Sequence, residues 1–186
     1  NAYNSAYQGI IRNAFLDGCL VIAAAGNDNV TTRHYPAAYD SCLAVAATGR
    51  NDVRASFTNY GDWVDISAPG VDILSTWAIG SYRSLQGTSM ASPVVAGVAS
   101  LVVSQDHMRT PQQIWDILVS SADSAALYNA NPNYIGQLGS GRVDAYAALA
   151  AATMPNIQFV DMVISIINDD GDGVFVNAST DTTLVG

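Results

Sequence analysis

The sequence predicts an α/β fold, a mostly parallel β-sheet flanked by helices. Two continuous apolar runs, CLVIAAAG (19–26) and CLAVAAT (42–48), are typical of strands buried on both faces of a parallel sheet. A third run, PVVAGVASLVVS (93–104), is apolar nearly all round and predicts a helix in the middle of a domain. Polar loops with Gly, Asn and Pro separate the strands.

The N-terminal half contributes one helix and the sheet. Asn4 and Ser5 are candidate caps for a helix whose apolar residues recur at helical spacing and which ends at Gly18. WVDIS (63–67) predicts a third, shorter strand. Pro is tolerated in the first turn of a helix, so Pro93 predicts that the central helix starts near Ser89.

Two further helices are predicted after the central one. Residues 110–113, TPQQ, form a capping box with Pro at the first helical position, which predicts a helix to about Ser121. Asp144 is expected to cap a last helix over residues 145–152. The composition changes after Pro155, so we expect residues 154–186 to be a linker and the start of a short, truncated β-rich domain.

Composition and charge exclude some function classes. The chain has 186 residues, a net charge of −9 and a pI near 4.2, which argues against nucleic acid or an anionic membrane as a partner. No run approaches eighteen apolar residues, and we see no signal peptide at the start of the sequence. We interpret Cys19 and Cys42 as buried free thiols, with a disulfide between them as the alternative.

A candidate nucleophile lies in GTSMASPVVAG (87–97). Ser89 stands at a predicted helix start, where free N–H groups and the positive end of the helix dipole favour nearby negative charge. Gly87 allows close approach of a substrate to the backbone. The alternative is an ordinary Ser/Thr helix cap.

A candidate oxyanion donor follows the first apolar run, in AAAGND (23–28). Asn27 comes at the carboxyl end of a predicted strand, where open α/β sheets place their sites. Its carboxamide donates hydrogen bonds without carrying charge, which suits an oxyanion hole. The alternative is a simple turn residue.

Four segments in order, AAAGN, SAPG (67–70), GTSMASP and GSGRVDAYAAL (139–149), resemble the C-terminal half of the catalytic domain of subtilisin-like serine proteases, the subtilases. The resemblance covers about residues 5–152. It implies a subtilisin-like fold, with residues 1–153 as the C-terminal part of the catalytic domain. It also implies a secreted or cell-surface endopeptidase that cleaves polypeptides through an acyl-enzyme.

The resemblance also implies the site residues. Ser89 matches the nucleophile and Asn27 the side-chain oxyanion donor. The residues that match the substrate-binding positions are Ala24, Ala25 and Gly26 on one pocket wall, Asp28 at its rim, and Gly87 and Thr88 before the nucleophile.

The family's acid and base are not matched. The upstream Asp and His motifs of subtilases do not occur in this sequence, and we interpret its two histidines, His34 and His107, as surface residues. We therefore expect a chain that lacks the N-terminal part of its catalytic domain, and which alone is inactive. A degenerate subtilase domain that serves as a binding or structural module is the alternative. An α/β-hydrolase nucleophile elbow is less favoured, because SYRSLQGT (81–88) is a poor buried strand.

No cofactor is required for this chemistry, but the resemblance implies a structural calcium or monovalent cation. Its ligands would be the carbonyls of Ala37, Tyr39 and Cys42 and the carboxylate of Asp65, an all-oxygen set suited to a hard cation. The acidic stretch at 168–173 has the spacing of half an EF-hand loop, yet Ser179 stands where a bidentate Glu is expected. We read that stretch as a solvated acidic turn.

Overall fold

The computed structural model describes residues 2–153 and the backbone of two short antiparallel strands, Phe175–Asn177 and Thr182–Leu184. The chain divides into two compact units, Asn1–Met154 and Pro155–Gly186. The acidic stretch at 168–173 lies outside the described residues.

The first helix, α1, spans Ser5–Leu16, as the apolar spacing predicts. Asn4 is its N-cap, and the Asn4 side chain accepts hydrogen bonds from the N–H groups of Ala6 and Tyr7. No residue of α1 is fully buried. This helix therefore lies at the surface of the described structure.

Three parallel strands form the central sheet in the order β1-β2-β3: β1 (Val21–Ala24), β2 (Cys42–Thr48) and β3 (Ile66–Pro69). All seven residues of β2 are buried, as predicted for a strand covered on both faces. The four residues of β1, an edge strand of the described sheet, are only half-buried, so that prediction is wrong for β1. The third strand begins three residues later than predicted, and Trp63 and Val64, the apolar residues at the start of the predicted run, are buried in the loop before it.

Both cysteines are free thiols. Cys42, the first residue of β2, is buried, and burial together with the nearby Asp65 carboxylate raises its pKa to about 12. Cys19 is exposed, which corrects the prediction of a buried thiol. The reason is that the first strand begins only at Val21.

A two-stranded hairpin that the sequence did not predict links the sheet to the central helix. It consists of β4 (Ile73–Trp77) and β5 (Ser81–Leu85), paired antiparallel. Its apolar side chains point largely into solvent, and Ile79 at the tip is fully exposed.

The central helix, α2, spans Thr88–Gln105 and packs against all three strands of the sheet. Its start agrees with the prediction, but the reason given for it is wrong, because Pro93 is the sixth helical residue and lies beyond the first turn. Pro93 has no N–H to donate to the carbonyl of Ser89. The buried face of α2 includes Val95, Val98 and Val102.

By length and composition, α2 could cross a membrane, with a mean hydropathy of 1.3 over eighteen residues. A helix at the centre of a folded domain passes the same test. The contacts of α2 with three strands and two helices are those of such a central helix.

The helices after α2 complete the domain. The capping box of Thr110 and Gln113 opens α3 (Pro111–Ser120), as predicted. A short helix, α4 (Ser124–Ala130), was not predicted. The last helix, α5, spans Ala145–Thr153, and the side chain of Asp144 accepts a hydrogen bond from Ala147 N at its start.

Candidate active site

The carboxyl ends of β1 and β3 meet the N-terminus of α2. After Ala24 the chain turns at Gly26, whose φ is +107°, a conformation that L side chains rarely adopt. A Cβ at Gly26 would also collide with the side-chain amide of Asn59. Only glycine fits here, and the tight turn brings Asn27 to the surface. We call residues 25–30 the Asn27 turn.

The SAPG segment fixes where α2 begins. Gly70, which directly follows β3, donates its N–H to the carbonyl of Thr48 at 2.8 Å, and its carbonyl accepts from Gly87 N at 2.8 Å. A Cβ at Gly70 would lie 2.8 Å from both Gly87 O and Ala47 Cβ. The close contact of Gly70 and Gly87 therefore attaches the start of α2 to the end of the sheet.

Thr88 fixes the orientation of the Asn27 carboxamide. Thr88 N and Thr88 Oγ1 both donate to Asn27 Oδ1, at 2.9 and 3.0 Å. Thr88 Oγ1 in turn accepts from Gly26 N at 3.1 Å. A main-chain N–H can only donate, so the Asn27 atom that faces Thr88 must be the oxygen. The amide NH₂ is thus turned away from Thr88, and it lies 3.6 Å from the position of a Cβ on Gly87.

Ser89 is the second residue of α2 and is exposed. Its N–H is one of the four at a helix start that have no acceptor within the helix. The N–H groups of Thr88, Met90 and Ala91 are already bonded. The exposed hydroxyl of Ser89 therefore stands beside its own main-chain N–H and the oriented amide of Asn27. This arrangement can stabilise negative charge that develops on an oxygen next to Ser89.

The predicted substrate-binding residues differ in exposure. Ala24 is half-buried and Asp28 is exposed, so both present surface. Ala25 and Thr88 are 0% exposed, so neither side chain presents surface to a substrate in this arrangement. Gly26 and Gly87 are also buried. Thr88 contacts Asn27 instead, which makes it a support for the predicted donor.

A model of the Subtilase family matches residues 1–144 of this sequence. The chain belongs to the subtilase family. Thermitase of Thermoactinomyces vulgaris is 42% identical over 146 residues, 78% of this chain and 50% of the relative. Subtilisin BL of Lederbergia lenta is 43% identical over 138 residues, 74% of this chain and 49% of the relative.

The subtilase fold is also found by structural comparison. A solved structure of a protease from Pseudoalteromonas arctica PAMC 21717 superposes with a TM-score of 0.73 at 36% sequence identity, covering 82% of this chain and 48% of the other. The predicted fold class, a subtilisin-like α/β domain, is confirmed. This subtilase chain spans about half the length of the relatives named here.

The two histidines of this subtilase chain lie in different places. His107 is exposed and follows the C-terminal end of α2. Ser89 and Gln105 are sixteen residues apart on that helix, which at 1.5 Å per residue is about 24 Å. His34 is half-buried, and its Cγ lies 3.3 Å from the position of a Cβ on Gly26. The interpretation of His34 as a surface residue is therefore wrong, since its ring lies behind the Asn27 turn.

The predicted cation ligands surround one cavity. Asp65 is half-buried, and its Oδ2 accepts from Ala44 N at 2.7 Å. Burial raises the pKa of Asp65 to about 6, although the Ala44 N–H acts to lower it. A cavity of about 320 Å³ is lined by ten residues, which include all four predicted ligands, Ala37, Tyr39, Cys42 and Asp65.

The donors around this cavity suit a hard cation. Within residues 2–153, no group of three or more His, Cys, Asp or Glu residues is placed to hold a metal, so a cation here would depend on main-chain carbonyls beside Asp65; Asp40 and Arg33 also line the cavity. Carbonyl and carboxylate oxygens are ligands that calcium prefers, and the set fits such an ion.

Sequence reasoning missed Asn59 as a residue of the site. Asn59 is fully buried next to the Asn27 turn, and its side chain makes three hydrogen bonds to the backbone of that turn. In the sequence it reads as a loop residue between Thr58 and Tyr60. The only available signal was its position in FTNYGDW (57–63), inside the stretch of about residues 5–152 that resembles the family.

Proposed function

We propose that this chain contributes the nucleophile and the oxyanion hole to a serine endopeptidase that hydrolyses peptide bonds through an acyl-enzyme at Ser89. The observation that supports this most directly is the pair of hydrogen bonds from Thr88 to Asn27 Oδ1. They turn the amide of Asn27 away from Thr88 at the start of the helix that carries an exposed Ser89. If Ser89 were only part of an ordinary helix cap, a second residue with an oriented amide, such as Asn27, would not be needed beside it.

In the proposed reaction, Ser89 Oγ attacks the peptide carbonyl carbon, and the carbonyl oxygen becomes an oxyanion. Asn27 Nδ2 and the main-chain N–H of Ser89 donate to that oxygen. Because Thr88 already holds Asn27, little reorganisation is required when the charge forms. Loss of one such donor typically lowers kcat by about a hundred- to a thousand-fold.

The attack requires a base to accept the proton of Ser89. We propose that a further segment of the same protein supplies the Asp and His that the family resemblance implies. The location of His107 beyond the far end of α2 argues against it as the base. The proposal also fits a chain that spans about half the length of its relatives.

Polypeptides are the proposed substrates, and the proposed site of action is outside the cell, as the family resemblance implies. Ala24 and Asp28 present surface beside Asn27 and are the proposed contacts with substrate. We also propose that Asp65 and the carbonyls around its cavity bind a structural calcium or monovalent cation. That ion would neutralise a carboxylate for which burial is unfavourable.

A fluorophosphonate reagent that modifies activated serines tests the proposal. In the full-length protein we expect rapid modification of Ser89, identified by peptide mass spectrometry, and loss of both labelling and peptide hydrolysis in Ser89→Ala. In residues 1–186 alone, labelling should be absent or very slow.

Two results would contradict this assignment. Rapid labelling of residues 1–186 alone would make His34 or His107 the base. A full-length protein that contains the upstream Asp and His but does not label at Ser89 would support the alternative, a degenerate subtilase domain used for binding.

A further inference from the structure

Asn59 joins the two ends of the Asn27 turn. Its Nδ2 donates to the carbonyl of Ala25 at 3.0 Å, and its Oδ1 accepts from the N–H groups of Asp28 at 2.9 Å and Val30 at 3.3 Å. Its own N–H donates to Gly26 O at 2.9 Å. One fully buried side chain therefore bonds to the backbone on both sides of Asn27.

Asn59 is in turn held by the central strand of the sheet. Thr58 Oγ1 accepts from Ala47 N of β2 at 2.9 Å and donates to the carbonyl of Asn59 at 3.1 Å. Both Thr58 and Asn59 are 0% exposed. A continuous set of hydrogen bonds thus runs from the buried strand β2 through Asn59 to the backbone that carries Asn27.

The two ends of Asn27 are fixed by different residues. Thr88, on α2, holds the carboxamide oxygen, whereas Asn59 holds the backbone from which that side chain extends. The direction of the amide depends on both contacts. None of the hydrogen bonds of Asn59 goes to α2, so its removal leaves the hydrogen bond from Gly87 N to Gly70 O at the start of that helix in place.

We infer that Asn59 is a positioning residue for the oxyanion hole, which it serves by holding the backbone of Asn27 in register with the start of α2. This inference rests on the proposed role of Asn27 as the oxyanion donor. A displacement of about 1 Å in a catalytic group lowers the rate by about a hundred-fold. The oxyanion forms only after the substrate has bound, so the loss falls mainly on kcat, with a smaller effect on KM through Asp28, a proposed substrate contact whose N–H also bonds to Asn59.

A double-mutant cycle in the full-length protein tests the inference. Kcat is measured per serine titrated by the phosphonate reagent for the parent, Asn59→Ala, Asn27→Leu and the double variant. In the parent background, Asn59→Ala should lower kcat about ten- to a hundred-fold and change KM by a smaller factor. In the Asn27→Leu background it should change kcat by less than about three-fold, because the donor that it positions is already gone.

Asn131→Ala is the matched control. Asn131 is also buried and also makes three side-chain hydrogen bonds, with Arg54 N, Asp52 O and Leu127 O. None of these partners belongs to the Asn27 turn. The control should lower the melting temperature about as much as Asn59→Ala does and leave kcat per titrated serine unchanged.

Each outcome decides for or against the inference. An equal loss of kcat from Asn59→Ala in both backgrounds would overturn it and leave Asn59 with a purely structural role. If Asn27→Leu alone leaves kcat unchanged, the proposed oxyanion hole is wrong and the inference falls with it. If Asn59→Ala does not fold, Asn59→Ser, which keeps a small polar group, takes its place in the same cycle with the same criteria.

Discussion

The site end of the domain and its α1 side are built in opposite ways. At the site, Gly26, Gly87 and Thr88 are buried, and Asn27 is held by hydrogen bonds from Thr88. On the α1 side, which we call the open flank, no residue of α1 is fully buried and β1 is half-buried. Tyr7 and Ile10 are each more than 60% exposed.

The open flank also has a groove of about 630 Å³ between α1 and the loop that follows β1. Most of the side chains that line it are apolar or aromatic, among them Tyr3, Tyr7, Ile10 and Tyr39. An apolar groove of this kind is costly when it faces water. The difference indicates that the proposed oxyanion hole is organised by contacts within this chain, whereas the flank leaves apolar surface exposed in the described structure.

The largest effect is expected at Asn27. Asn27→Leu removes a donor that matters mainly when the oxyanion forms, so kcat of the full-length protein should fall about a hundred- to a thousand-fold while KM changes little. Steady-state kinetics on a peptide substrate measure this. A rise in KM with kcat unchanged would instead make Asn27 a substrate-binding residue.

A smaller loss of kcat is expected when Thr88 is changed to valine. The same change at Thr48, a second buried threonine, serves as the comparison. Thr88→Val removes a hydroxyl that bonds to both Gly26 and Asn27, so kcat should fall about ten-fold, equivalent to a hydrogen bond of about 1.4 kcal/mol. Thr48 is equally buried, and among the described residues its Oγ1 has no hydrogen-bond partner.

Thr48→Val is therefore the control, because it replaces an unpaired hydroxyl by a methyl group of similar shape. It should leave kcat unchanged and raise the free energy of unfolding by about 1 kcal/mol, measured by urea denaturation. A fall in kcat with Thr48→Val as large as that with Thr88→Val would show that both act through the general packing of this region.

The open flank predicts the behaviour of the chain in isolation. Residues 1–186 alone should melt in a broad, non-cooperative transition and bind a hydrophobic dye, because apolar surface and a strand edge are uncovered. Tyr7→Ser combined with Ile10→Ser should reduce dye binding. A sharp two-state transition with no dye bound would show that the flank needs no cover.

The smallest effect concerns the predicted cation. Millimolar calcium should raise the melting temperature of the full-length protein by a few degrees, because a ligand that binds only the native state stabilises it. Asp65→Asn removes the one carboxylate of the predicted ligand set and should reduce that rise. A rise that is unchanged in the variant would place the ion elsewhere, with the acidic stretch at 168–173 as the next site to test.

Features with a regular pattern could be predicted from the sequence. The strand at residues 42–48 was predicted to the residue, since a continuous apolar run of this length is typical of a strand covered on both faces. The capping box predicted α3 because its two hydrogen bonds are local. Ser89 and Asn27 could be proposed together because both lie in segments that resemble one family.

Features that depend on distant partners could not be predicted. The exposure of Cys19 and the half-burial of β1 depend on which elements cover the β1 edge of the sheet. An apolar run in the sequence does not specify those elements. The hairpin has no buried face to produce an alternating pattern. The hydrogen bonds of Asn59 join it to residues about thirty positions away, and no local pattern marks such a contact.

The contact between Gly70 and Gly87 has a practical consequence for protein engineering. Because it closes the base of the β4–β5 hairpin, the hydrogen bonds that place α2 are independent of the hairpin's length. The tip, residues 78–80, lies at the far end, where Ile79 is fully exposed. An epitope or affinity peptide grafted there would be displayed in solvent without shifting the start of α2.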